Sequence, residues 1–296
     1  MKIRMILLAL CLLTACGAPA PGPEADDPTE EGPPSLEEGL PSLAEDEAPV
    51  RVDCRIVDGA EDGTLLLAGL EDAGVFRLPL SEAVAVTLDG QPAGAADLRD
   101  GMTVTVSYNG AMDDSFPAVF GEVCCVAAYA LGARENPGGT YYDLCGLYLQ
   151  VLDDLWQKDP ALNEGIACLA LDLSDAPGGL TESEKAAVVL RFGELHGVEA
   201  FAASFGELRE QGRIAAEPLG DGAPEGAAFL HWEDGCLFSI TSGRDHAGES
   251  YSLPVLFFDA EKWRSSLGAY GFYGCSAVWP MMGTWSGYQV EDEMIA

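Results

Sequence analysis

Basic residues are scarce in this chain: 15 Lys and Arg stand against 49 Asp and Glu, a formal net charge of −34. Binding of nucleic acid requires clustered cations to neutralise phosphates, so a nucleic-acid partner is excluded as an expectation. Adsorption of the folded body to anionic lipid is disfavoured on the same ground. Such acidity ordinarily serves solubility at a surface rather than a specific cationic ligand. Histidine is nearly absent, with three residues in 296. The sequence also lacks HExxH, GxSxG, SxxK, a Walker loop and a GxGxxG that opens a helix. Each of these spacings encodes a geometry that a particular chemistry needs, so no catalytic residue is assigned by motif and no cofactor is implied. The acidic loops at 58–63 and at Asp113-Asp114 do not have the regular oxygen spacing of an EF-hand, and no metal site is expected. Beyond residue 16, no apolar run is long enough for a transmembrane helix.

What is present begins at the N-terminus. Lys2 and Arg4 form a short basic region, Met5 to Leu13 are uninterruptedly apolar, and small residues follow at Thr14 and Ala15. Leu13-Thr14-Ala15-Cys16 resembles the lipobox of bacterial lipoproteins. That resemblance implies export, cleavage after a signal peptide at 1–15, and attachment of lipid to the Cys16 sulfur. It implies in turn a protein held at the extracytoplasmic face of a membrane, in the cell envelope. Several acyl chains on one residue anchor stably, because each buried methylene adds about 0.8 kcal/mol. Residues 16–50 then read as the lipidated cysteine and a tether. Positions 17–50 hold eight prolines and ten acidic residues, without Lys, Arg or an aromatic residue. Such a composition does not offset the entropy of ordering, so disorder is expected. The tether reaches about 100 Å if extended and roughly 30 to 35 Å as a coil.

Residues 51–135 read as a small β domain. Short apolar runs at 52–57, 64–68, 75–80, 83–88 and 102–108 are punctuated by turns, with Asp89-Gly90 a hairpin signal and 116–129 a final long strand. The stretch DLRDGMTVTVSYNG followed by SFPAVF resembles, in pattern, small oligonucleotide/oligosaccharide-binding-type barrels, so a barrel-like, OB-like domain is expected. Seven further cysteines follow Cys16, an odd number. Their spacing matches neither zinc sites nor a CxxC pair, and Cys124 or Cys125 is a possible disulfide partner of Cys54, although buried free thiols are the commoner outcome.

Residues 136–296 read as an α+β domain with an antiparallel sheet. Leu144, Leu147, Tyr148, Val151, Leu152 and Leu155 fall on one helical stripe that must end before Pro160. The apolar run 165–173 suits a buried strand. Thr181 with Glu184, and Ser204 with Glu207, are capping-box pairs that open helices, with Gly197 and Gly212 placed to end them. Asp234-Gly235 reads as a hairpin turn, and strands follow at 251–258, 269–279 and 284–295.

Candidate binding residues are His231, Trp232, Asp245, His246, Trp279 and Trp285. Aromatic faces stack on sugars and peptides, while a histidine among acidic residues in a loop is a ligand contact or a solvated turn. Core packing is the competing explanation of the tryptophans. The expected role is a membrane-anchored envelope protein that binds a peptide, glycan or protein partner. The alternative is an envelope hydrolase working through a Cys/His or carboxylate site around His231, Cys236 or Asp245-His246.

Overall fold

A computed structural model describes residues 48–71, 74–130, 143–220, 224, 226–243, 255–278, 285 and 287–295. Eight strands form the first sheet: β1 (Val50–Asp58), β2 (Thr64–Gly69), β3 (Val75–Pro79), β4 (Ala85–Leu88), β5 (Gln91–Ala93), β6 (Thr103–Tyr108), β7 (Ala118–Val119) and β8 (Val123–Tyr129), in the order β5-β4-β8-β6-β1-β2-β3-β7. Alternation decides what each face buries. Ile56, Leu65, Leu67, Phe76 and Val104 share one core, whereas Val57, Leu66, Ala68 and Val75 point to the other face and join the core of the helices. Asp89 (φ 50°) and Gly90 (φ 77°) make the β4–β5 hairpin that their sequence forecasts, because both central positions of such a turn need positive φ.

The expected barrel is not formed among the described residues. The strand order is an open path that ends at β5 and β7. The single strand expected over 116–129 is broken at Phe120-Gly121-Glu122, where Gly121 N donates to Ala111 O and Asn109 N to Glu122 O. What remains as β7 is two residues long and meets only β3. The sheet therefore curls over Phe120, which stacks on Phe76 (centroids 4.7 Å apart) and meets Tyr108 edge-on at 4.9 Å, without closing.

The remainder runs α1 (Leu144–Gln157), β9 (Cys168–Asp172), α2 (Glu182–His196), β10 (Glu199–Ala202), α3 (Phe205–Glu210), β11 (Ala215–Pro218), β12 (Ala228–His231), β13 (Gly235–Ser242), β14 (Val255–Ser265), β15 (Gly268–Val278) and β16 (Asp292–Ile295). The fold is α+β and mostly β, with antiparallel pairing predominant. The second sheet departs from the antiparallel expectation in one place: β10 and β13 both run parallel to β9. The crossover from β9 through α2 to β10 produces the first of these pairs, as parallel neighbours require. Asp234-Gly235 is likewise not a hairpin turn. β12 and β13 both pair antiparallel with β14, one after the other, so the chain continues in the same direction through Gly235. The Trp232 indole occupies the space beside that residue, where a Cβ would lie 2.0 Å from the ring, and Trp232 Nε1 donates to Asp234 Oδ1 at 3.0 Å.

Helices α1 and α2 cover one face of the second sheet, and the apolar stripe of α1 is buried along its length. Helix α3 covers part of the opposite face through Leu208, over Cys168, Trp232 and Leu237. The end of α1 is held by a charge: Lys262 on β14 is fully buried, and its Nζ donates to the carbonyls of Trp156, Lys158 and Asp159 and to Asn163 Oδ1. The seven cysteines of the described residues are all free thiols, so Cys54 is not joined to Cys124 or Cys125. Among the described residues, no helix is long and apolar enough to cross a membrane.

Candidate functional site

Two strands and two helices converge on one end of the second sheet. Strands β9 and β10 end there at Asp172 and Ala202, and α2 and α3 begin there after Thr181 and Ser204. Helix α2 lies over one face of the sheet and α3 over the other, so the chain diverges beyond the carboxyl ends of the parallel strands. Crevices in open α/β sheets form at such points. The cleft here has a volume of about 710 Å³. Leu173, Val189 and Ala203 line its apolar part, and Asp172, Ser174, Glu182, Lys185 and Glu207 its polar part.

The polar groups are ordered by local sequence. Asp172 Oδ1 accepts from Ser174 N (3.0 Å) and Ser174 Oγ (2.6 Å). Thr181 N donates to Glu184 Oε2 (2.9 Å) and Glu184 N to Thr181 Oγ1 (3.1 Å), the reciprocal pair that the Thr-x-x-Glu spacing encodes. Ser204 and Glu207 repeat it, with Ser204 N donating to Glu207 Oε2 at 2.8 Å. The backbone N–H and hydroxyl of Ser204 hold the Glu207 carboxyl below its ordinary value. Both helix N-termini are thus occupied by the chain's own carboxylates, and the one lysine is bound to Glu182 at 2.8 Å. A phosphate or another anion would meet three carboxylates and two occupied helix ends, so the cleft suits a neutral or cationic ligand with an apolar portion.

His231 lies on β12, stacked with Phe229 (centroids 5.6 Å apart), its Nε2 4.0 Å from Glu217 Oε1 and its Nδ1 buried without a hydrogen-bond partner. Trp232 is a core residue, 1 % exposed. Trp285 is partly buried against the core of the helices. Cys236 is fully buried, donates to Trp263 O at 3.4 Å, and is pushed by burial up to about 12, which keeps the thiol protonated and unreactive near neutrality. His231 is turned toward Glu217, away from any pairing with Cys236. Cys16, Asp245, His246 and Trp279 lie outside the described residues. Sequence reasoning missed the cleft because β10 is only four residues long; the buried run at 165–173, the capped helix and a short strand after Gly197 were the signal of a βαβ unit. No family model, no curated protein and no solved structure matches this chain.

Proposed function

We propose that this chain is a lipid-anchored protein of the extracytoplasmic face of a bacterial membrane, which binds a peptide, glycan or protein partner in the cleft at the carboxyl ends of β9 and β10. The lipobox Leu13-Thr14-Ala15-Cys16 and the acidic, proline-rich stretch after it support the address. The cleft carries the binding reading, because convergent polar groups over an apolar floor at this position of an open sheet are the usual form of a binding site. The curled first sheet, whose strand pattern resembles oligonucleotide/oligosaccharide-binding-type barrels, serves as an accessory surface. The hydrolase reading has less support, since Cys236 is a buried, protonated thiol and His231 faces Glu217.

Two measurements test the proposal. Metabolic labelling with a fatty acid marks the wild-type protein and not Cys16→Ala if the anchor is real; equal labelling of both refutes it. A photo-reactive amino acid replacing Ser174, which is exposed in the cleft, yields a discrete adduct in intact cells, whereas the same replacement at exposed Ala216 on β11 does not. Identical adduct patterns from the two positions refute the cleft as the binding site.

A further inference from the structure

The first sheet meets the helices along a seam of partly buried charge. Arg55 on β1 donates through Nε to Glu184 Oε1 at 2.5 Å and through Nη1 to Gly101 O at 2.9 Å. Arg191 on α2 pairs with Asp58 at the end of β1. Between these pairs sits Asp143, the residue that caps α1: its Oδ1 accepts from Gly146 N at 2.9 Å, and it is 6 % exposed. It presses on the first sheet so closely that a Cβ added to Gly101 would lie 2.5 Å from its own Cβ. Asp100, beside Gly101, accepts from Ala60 N at 3.2 Å.

The charged and titratable groups that act on Asp143 are Arg55 and Asp58 from β1, Asp100 from the turn before β6 and Cys145 from α1; Glu61 and Arg191 act in turn on Asp100, and Glu184 on Cys145. Both guanidinium groups are committed, to Glu184 and to Asp58. Asp143 is left with a single backbone donor in a place that water scarcely reaches, with the charge of the partly buried Asp100 nearby and the Arg55 charge offsetting it in part. Two such carboxylates are not both comfortably ionised.

We propose that this seam is a proton-linked joint, in which Asp143 takes up a proton in mildly acidic medium, removing a buried charge from the contact of α1 with Gly101, and releases it toward neutrality, returning that charge and weakening the packing of the first sheet on α1. Burial, with the Asp100 charge adding to it, pushes the Asp143 carboxyl up to about 6 from the ordinary 3.8. A carboxyl whose pKa is higher in the folded than in the unfolded state contributes stability that is complete below 3.8 and lost as pH rises through about 6.

The test uses the full chain and Asp143→Asn, which keeps a good N-cap and stands for the protonated form. Carboxyl-carbon NMR follows Asp143 itself, and urea unfolding compares the two proteins from pH 5 to pH 8. The Asp143 resonance titrates near pH 6 and moves toward the ordinary range in Asp100→Asn. Asp143→Asn gains on the wild type as pH rises, approaching about a hundredfold in the unfolding constant at pH 8, since each unit of pKa shift is tenfold. An Asp143 resonance that titrates at an ordinary carboxylate pKa overturns the proposal even if the variant does not fold. So does a stability difference that is constant with pH.

Discussion

Replacing Lys262 with Met deletes a buried ammonium while keeping most of the side-chain volume, and the structure sets the size of the effect. Lysine Nζ has three protons and here meets four oxygens, three of them backbone carbonyls at the end of α1 and in the turn after it. The last carbonyls of a helix have no partner within it; Trp156 O also accepts from Asn163 Nδ2 and Asp159 O from Leu162 N, so the Lys158 carbonyl is the one that depends chiefly on Lys262. Each buried acceptor left bare costs about 1–3 kcal/mol. Against that stands the relief of desolvation, which is already evident in the lowered Lys262 pKa, with burial the principal cause. Removing one member of a buried charged network costs about 3–5 kcal/mol net. In a domain of this size that is a fall in Tm of roughly 10 °C. Urea unfolding followed by circular dichroism measures the difference. A loss below about 1 kcal/mol would refute the reasoning, because it would mean that the α1 carbonyls find water as readily as they find the ammonium.

Other substitutions probe separate parts of the fold. Gly235→Ala forces a methyl group into the Trp232 ring and is expected to cost about 1–3 kcal/mol in thermal unfolding, with loss of the Trp232 near-UV signal. Glu184→Ala removes both the Arg55 partner and half of the α2 capping box and costs about 3 kcal/mol, whereas Glu182→Ala, at an exposed i,i+3 pair, stays within about 0.5 kcal/mol. His196 is stacked on Trp156 at 4.0 Å, and burial lowers its pKa from the ordinary 6.5. Because the unfolded chain then binds the proton more readily, its contribution is complete above 6.5 and is lost as pH falls through the folded value; His196→Gln flattens the corresponding acid limb of the stability profile.

The elements that local chemistry specifies were legible in the sequence. The Leu144 to Leu155 stripe, the two capping boxes and Gly197 define α1, α2 and α3 nearly to the residue, because each depends on side chains a few positions apart. Asp89-Gly90 marks its hairpin for the same reason. Features set by long-range pairing were not legible. Asp234-Gly235 has the composition of a turn, and only the indole of Trp232 and the continuous edge of β14 keep the chain straight there. Residues 259–265 contain Asp259, Glu261, Lys262 and Arg264 and do not look like a buried strand. They extend β14 because Lys262 finds its oxygens inside and the other charged residues face outward or toward the sheet's end. The cleft was invisible because it depends on a four-residue strand running parallel to a distant partner.

Helix α2 explains why the first sheet matters to the cleft. Its hydrophobic residues do not form one narrow stripe, because it is buried on two sides: Phe192 packs against Trp156 and Phe238 over the second sheet, while Glu184, Arg191 and Glu194 reach Arg55, Asp58 and Arg77 of the first. Along its first turn the roles change at consecutive residues. Glu182 lines the cleft, Ser183 accepts from Gly74 N at 3.1 Å, and Glu184 holds both Arg55 and Thr181. A rigid helix cannot shift at Glu182 without shifting at Ser183 and Glu184. Any ligand that prefers one position of α2 must therefore change the strength of the seam, and the seam must change the affinity for that ligand by the same factor.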